Sequence, residues 1–420
     1  MITFKAEISD KFQFLSGIYK YNDHQTHCVI KFNNKINKET LKKSALLMLD
    51  IIPILGCAYV ENKKDPYWKR VSNFDSEDLI VFVDNEEEFN NFTMSKTNEF
   101  VGPQIKICLL NSDKDSLAII INHMICDGAG LKQCLYILSD LYSKLIENPK
   151  YLPNYRINID RSVEKIKKEF NFIEKIKIIK LFNKRIENNN IYKFPMSKES
   201  KNSPFILKHK INQERFFKIK DYCKEHSVTI NDIFLAAYYR VLYSMLDINC
   251  EKPLTIPIMI DMRRHSKKEI IDSICNCTSS IVTKINHDLN DDFNTTVKKV
   301  NEFMILKKNK FMGIELFFKM SLISKIFSYE KLKILIEKKF KNPLICMSNT
   351  GVLDSEEFSF KGMSIDDVAI FGSIKYPPYF QLGLSSYNDT ISLNVGLYGS
   401  TKDKENIEKF LKLIDRELPA

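Results

Sequence analysis

The stretch "AIIINHMICDGAG", residues 118–130, decides how the chain is read. Four apolar residues run into Asn122 and His123, and four positions past the histidine comes Asp127-Gly128. A strand that delivers an imidazole to its own end holds the ring rigidly and leaves it free to face a cleft. A general base needs that fixed geometry, and a pKa near neutrality. Gly128 permits a tight turn and a close backbone approach. Asp127, short and acidic, is suited to locking the loop by pairing with a cation elsewhere. The string His-x-x-x-Asp-Gly alone fits a half-exposed strand end as well as it fits a catalytic base. The order of elements favours the base, because strand and motif are followed by "LKQCLYILSDLYSKLIE" (131–147), an amphipathic helix.

The 420 residues are enough for two domains of ordinary size, each with its own core. A hydrophobic share of 44% against 28% charged is globular rather than disordered, and scarce Gly and Pro exclude collagen-like or linker-rich chains. The net charge of +10 would suit an anionic partner, but the lysines are spread widely and no nucleic-acid motif accompanies them. A solvated surface is therefore the favoured account. The start "MITFKAEISDKF" lacks a signal peptide's apolar core, and no apolar stretch approaches membrane-spanning length. The ten cysteines are read as reduced thiols of a cytoplasmic protein, several of them in apolar segments.

Along the chain, strand-like and helical stretches alternate twice. Strands are expected at 26–32, 79–84, 103–110 and 117–125, with helices at 38–55 and 131–147. The second half starts again with a strand at 205–211. A helix follows at 229–246, where Thr229 and Asp232 form a capping-box-like start. Strands at 254–262, 278–285 and 344–353, a helical region from 293 to about 340, a hairpin around Asn388-Asp389 and a final helix complete it. The expected division is a first half over 1–160, a basic helix and linker over 161–204, and a second half over 205–420.

"NHMICDG" resembles the HHxxxDG signature of the chloramphenicol acetyltransferase-like superfamily of condensation domains and alcohol O-acyltransferases. "TINDIFLAAYYRVL" (229–242), "PIMIDMRR" (257–264) and "SNTG" (348–351) are similar, in order, to later stretches of that family. The resemblance covers nearly the whole chain. It implies an α/β fold of two similar halves in a V shape, with an active-site tunnel at their interface. It also implies His123 as the catalytic base, and Asp127 as a structural residue paired with Arg263. Asn122, Ser348 and Asn349 are candidates for binding the oxyanion or substrate, and a polar strand crossing explains the last two equally well. Asn122 replaces the first histidine of the signature and cannot ionise.

The implied activity is an acyltransferase of secondary metabolism, drawing on acyl-CoA or a carrier-protein phosphopantetheine thioester and favouring O- over N-acyl transfer. No permanently bound cofactor, metal or nucleic acid is implied. A monomer is expected, with an acyl carrier protein as one partner. The rival is a non-catalytic binding protein that keeps the fold, for which Asn122 is the main support.

Other constellations weigh less. His24, His27 and Cys28, with Cys275-x-Cys277, lack the spacing of a zinc site. Cys126, three positions past His123, is incidental rather than a nucleophile. The basic stretch 161–187 carries nine Lys/Arg against four Glu and is expected to bridge the halves, with membrane or carrier docking left open. The apolar stretch 311–327 fits core packing and the wall of an acyl tunnel equally.

Overall fold

The structure is a computed structural model that describes residues 2–162, 164–182, 192–197, 199, 202–246, 248, 253–266, 273–288, 290–308, 311–340 and 342–419. In the first half the strands are β1 (Thr3–Lys5), β2 (Gln25–Phe32), β3 (Cys57–Val60) and β4 (Tyr67–Arg70). They are followed by β5 (Ile80–Val83), β6 (Ile105–Leu110) and β7 (Ser116–Asn122). Further along come β8 (Ser203–Ile211), β9 (Leu254–Asp261), β10 (Thr278–Ile285) and β11 (Ile345–Leu353). The last are β12 (Ile365–Phe371), β13 (Phe380–Tyr387) and β14 (Thr390–Gly399).

These form a five-stranded sheet in the order β12-β2-β7-β6-β5, a six-stranded sheet β10-β9-β11-β13-β14-β8, and a small sheet β1-β4-β3. β7 is the reason its sequence reads as a continuous apolar run, since all of Ser116–Asn122 is buried. Leu117, Ile119 and Ile121 enter the main core of the first half, while Ala118 on the opposite face meets Phe89 and Cys108 in a smaller cluster. The strand therefore has two covered faces and no polar alternation. The helix Gly128–Glu147 packs Leu131, Leu135 and Leu138 into the same core.

In the second half the helix Ile230–Met245 starts at Thr229, whose side chain and that of Asp232 complete the capping box. Its tyrosines tie sheet to helix: Tyr239 shares a hydrogen bond with Thr283 at 2.7 Å, and Tyr243 donates to the Ile285 carbonyl at 2.9 Å. Asn388 and Asp389, both at positive φ, turn β13 into β14.

One expectation changes. The basic stretch is not one helix, because the Asn171 side chain takes the Glu174 N–H and starts a new helix, Phe172–Leu181, after the short Glu164–Lys168. Its far end, 183–187, lies outside the described residues. Segments late in the chain also reach back to the first half. β12 pairs antiparallel with β2, and Tyr329, Leu332, Ile336 and Phe360 pack into the first core. β12 also reaches the other sheet, through Ile370 N–H to Ser385 (3.2 Å) and Asn394 to the Ile370 carbonyl (3.1 Å). It splices the two sheets together.

Candidate active site

A cavity of about 1530 Å³ lies between the two sheets, lined from the first half by Ile8, Phe12 and His123 and from the second by β10, β11 and the helices after 293. His123 sits at the end of β7, where its N–H donates to the His24 carbonyl at 2.8 Å. Its Nδ1 is buried with no hydrogen-bond partner, and the residue lines the cavity. Burial lowers the imidazole's pKa below its usual value, and the ammonium of Lys375, another cavity residue, lowers it further. A neutral imidazole is a base in its working state.

The turn after His123 is held from the second half. Asp127 caps the Gly128–Glu147 helix by accepting from Gly130 N–H at 3.0 Å. Its other oxygen accepts from Arg263 Nη1 (2.9 Å), Cys277 N–H (2.7 Å) and the Thr278 hydroxyl (3.1 Å). Burial alone would raise this carboxyl's pKa, but the Arg263 guanidinium and the N–H donors hold it below the usual carboxylate range. Arg263 also donates to the Cys275 carbonyl at 2.9 Å. Asn276 adds a second fastening, donating to the carbonyls of His123 (2.8 Å) and Met124 (2.9 Å). Behind the loop, Arg161 pairs with buried Asp10 and donates to the carbonyls of Ile125 and Ile274, both at 2.9 Å.

The pairing of Asp127 with Arg263 is thus present, and Gly128 lines the cavity. Of the two roles expected of it, the close approach is the one present: it opens the helix, and a Cβ there would come within 3.0 Å of Thr350 Cγ2. Space, not a special turn, calls for glycine.

Asn122 does not face the cavity. It is fully buried, its amide donates to Gln104 Oε1 (2.8 Å), and its oxygen accepts from Met124 N–H (2.9 Å). The side chain shapes the turn and cannot touch a substrate. On β11 the residues Cys346, Ser348 and Thr350 line the cavity. Asn349 points the other way, to Asn231 (2.7 Å) and Gly351 N–H (2.7 Å), because successive strand residues alternate in face.

Cys126 is fully buried and off the cavity, with its thiol pushed up by a hydrogen bond to Cys134 and by burial, which is not a nucleophile's setting. Among the described residues no group of His, Cys, Asp and Glu is arranged to hold a metal. Cys275 and Cys277 are free thiols with sulfurs 3.4 Å apart. The stretch 311–327 does line the cavity, through Phe311, Leu316, Phe317, Met320 and Ile323.

The sequence did not single out Asn276 or Lys375. The first is the middle residue of "CNC" (275–277), weighed only for its cysteines, and the second becomes a cavity residue only through the splice that carries β12 across.

No known family's sequence profile matches the chain, and no curated protein matches it. Solved structures match over nearly all of it. A trichothecene 15-O-acetyltransferase from Fusarium sporotrichioides superposes with a TM-score of 0.75 at 13% identity, covering 99% of this chain and 95% of that one. Polyketide synthase associated protein 5 from Mycobacterium tuberculosis gives 0.67 at 13% identity, covering 98% and 96%. The first condensation domain of the CDA synthetase gives 0.68 at 11% identity, covering 100% and 97%. The chain has the fold of the chloramphenicol acetyltransferase-like and condensation-domain superfamily, the one its motifs resemble. Among the described residues no helix is long and apolar enough to cross a membrane.

Proposed function

We propose that the chain is an acyltransferase that moves an acyl group from a thioester of coenzyme A, or of a carrier protein's phosphopantetheine, to an alcohol. The observation that carries this is the imidazole of His123, held neutral by its surroundings and lining a cavity between the halves. His123 Nε2 takes the proton of the acceptor hydroxyl as its oxygen attacks the thioester carbonyl. The tetrahedral adduct collapses, the C–S bond breaks, and the leaving thiolate takes the proton back from the imidazolium. Nothing in that sequence calls for a resident cofactor or metal.

The oxyanion formed midway needs a donor, and Ser348 is the candidate on the cavity side of β11. Asp127, Arg263 and Asn276 act at one remove by fixing the loop that carries His123. The apolar wall of Phe311, Leu316, Phe317 and Ile323 suits a hydrocarbon acyl chain. An alcohol is favoured as acceptor because one neighbour is named as an O-acetyltransferase, while the condensation-domain neighbour keeps a carrier-bound donor in view. A cytoplasmic monomer, divided as 1–160, 161–204 and 205–420 along the chain, belongs to the same proposal.

The binding-only alternative rested on Asn122. A buried amide occupied by Gln104 and Met124 does turn-shaping work that requires no ionisable group, so its presence does not argue against activity.

The test is thioester turnover followed by free-thiol release, across acyl-CoA donors of increasing length and a panel of alcohols and amines. Acceptor-dependent release that is lost in His123→Ala is expected. Release unchanged in that variant would remove His123 as the base. No release with CoA donors or with a carrier-loaded donor would leave the binding protein as the reading.

A further inference from the structure

The helix Phe172–Leu181 is built the wrong way round for a surface helix in water. Ile178 is its buried residue, while Phe172, Ile173, Ile176 and Ile179 are 76%, 64%, 40% and 50% exposed. At about 100° per residue, Phe172, Ile173, Ile176 and Ile179 fall on the side away from Ile178, with Lys180 among them and Lys175 and Lys177 at the edges. The helix Ile314–Ile326, packed beside it, exposes Leu322 and Ile326, and the end of Phe293–Lys307 exposes Ile305 and Leu306. Scattered apolar residues on a surface are ordinary, but a cluster on adjoining helices marks an interaction site.

The same three helices meet at the cavity. Leu181 and Phe182, Leu306, and Leu316 with Ile323 all line it, and Leu306 is also 80% exposed, so it stands at the rim. The helices that carry the exposed apolar residues thus also supply wall to the cavity that His123 lines.

Its charge is one-sided. Lys175, Lys177, Lys180, Lys308 and Lys319 make no ion pair among the described residues. Of the carboxylates nearby, Glu174 serves the helix start at Asn171, Glu164 pairs with Lys167 and Lys325, and Glu315 lines the cavity. Apolar side chains on the outward face with lysines at its edges and one long-stemmed lysine, Lys180, within it fit the boundary of an anionic bilayer, where the former sink among acyl chains and the ammonium groups meet headgroup phosphates.

We infer that this face docks the protein on anionic membranes, with the cavity mouth turned to the lipid. The docking stands on the surface alone. Its consequence, that a long acyl chain enters from the bilayer, rests on the acyl-transfer reading above.

The experiment is co-sedimentation of the full chain with phosphatidylcholine vesicles, and with vesicles that also contain phosphatidylglycerol. Two triple variants are compared, Ile173→Ser/Ile176→Ser/Ile179→Ser and Lys175→Glu/Lys177→Glu/Lys180→Glu. Retention on the phosphatidylglycerol vesicles is expected, weakened about tenfold or more in each variant and on phosphatidylcholine alone. The variants should keep the parent's thermal midpoint and its thiol release from a short, water-soluble thioester. That second readout separates a failed docking surface from a failed reaction. Absence of retention on either vesicle overturns the inference, as does retention equal in parent and variants. Capture of an acidic carrier protein through the same lysines without vesicle retention would reassign the face to protein docking.

Discussion

The guanidinium of Arg263 meets the carboxylate of Asp127 at 2.9 Å, 136 positions away in the chain. One end of this pair is the loop that carries His123 and the other is the strand end of the second half. The pair thus decides whether the imidazole and the wall of β11 face each other across a fixed gap.

Arg263→Ala leaves a buried carboxylate with its N–H donors but no counter-charge. Removing one partner of such a pair costs roughly 3–5 kcal/mol, read as a fall in the denaturation midpoint. Asp127→Asn should cost less when combined with Arg263→Ala than the two single losses added, and strict additivity would show that the pair does not couple. The pH dependence has a definite sign. Asp127 has a depressed folded pKa, so its contribution is present above the ordinary aspartate value of 3.8 and is lost as pH falls through the folded value. Asp127→Asn flattens that acid slope.

His123 is neutral because its surroundings depress its pKa, so the acid limb of the rate profile should lie below 6.5. Lys375→Gln removes one cause of the depression, and the limb then moves to higher pH. A profile that does not shift, or shifts to lower pH, would show that the ammonium does not act on the imidazole.

Asn276→Ala removes the donor to the His123 and Met124 carbonyls, with a cost of about 1–3 kcal/mol for stranding buried acceptors. The rate should fall more than substrate binding weakens, since the variant misaligns a base without touching the apolar wall. A pure KM effect would contradict this.

Ser348→Ala and Asn349→Ala form a matched pair of neighbours on opposite faces of β11. If Ser348 supplies the oxyanion donor, its loss lowers turnover by about 10²–10³, while Asn349→Ala leaves turnover within a few-fold. Equal effects would point to strand stability instead.

Much of the site was legible because its signals are local. The apolar run of β7, the capping role open to Asp127 and the amphipathic helix after it lie within thirty or so residues and obey simple periods. Ser348 and Asn349 were proposed together although a period of two forbids neighbours from sharing a face, so that distinction was available from the sequence. Asn122 was misjudged because the signature position was treated as facing the substrate, whereas the strand end buries it beside Gln104. β12 was out of reach: "IDDVAIF" reads as a strand, but nothing in it names β2 as its partner. Lys375 and the packing of Tyr329 and Leu332 into the first core were hidden for the same reason.

The splice of β12 onto β2 also bears on how the chain is made. β2 leaves the ribosome early, with one edge already able to pair with β7, but its other edge has no partner until Phe371 has been synthesised. Until then the nascent first half carries an open strand edge, the kind of surface on which chains stick to one another. Folding of this half must therefore wait for the last third of translation or be sheltered through it, and a gene fragment encoding only the first half would yield a protein that aggregates.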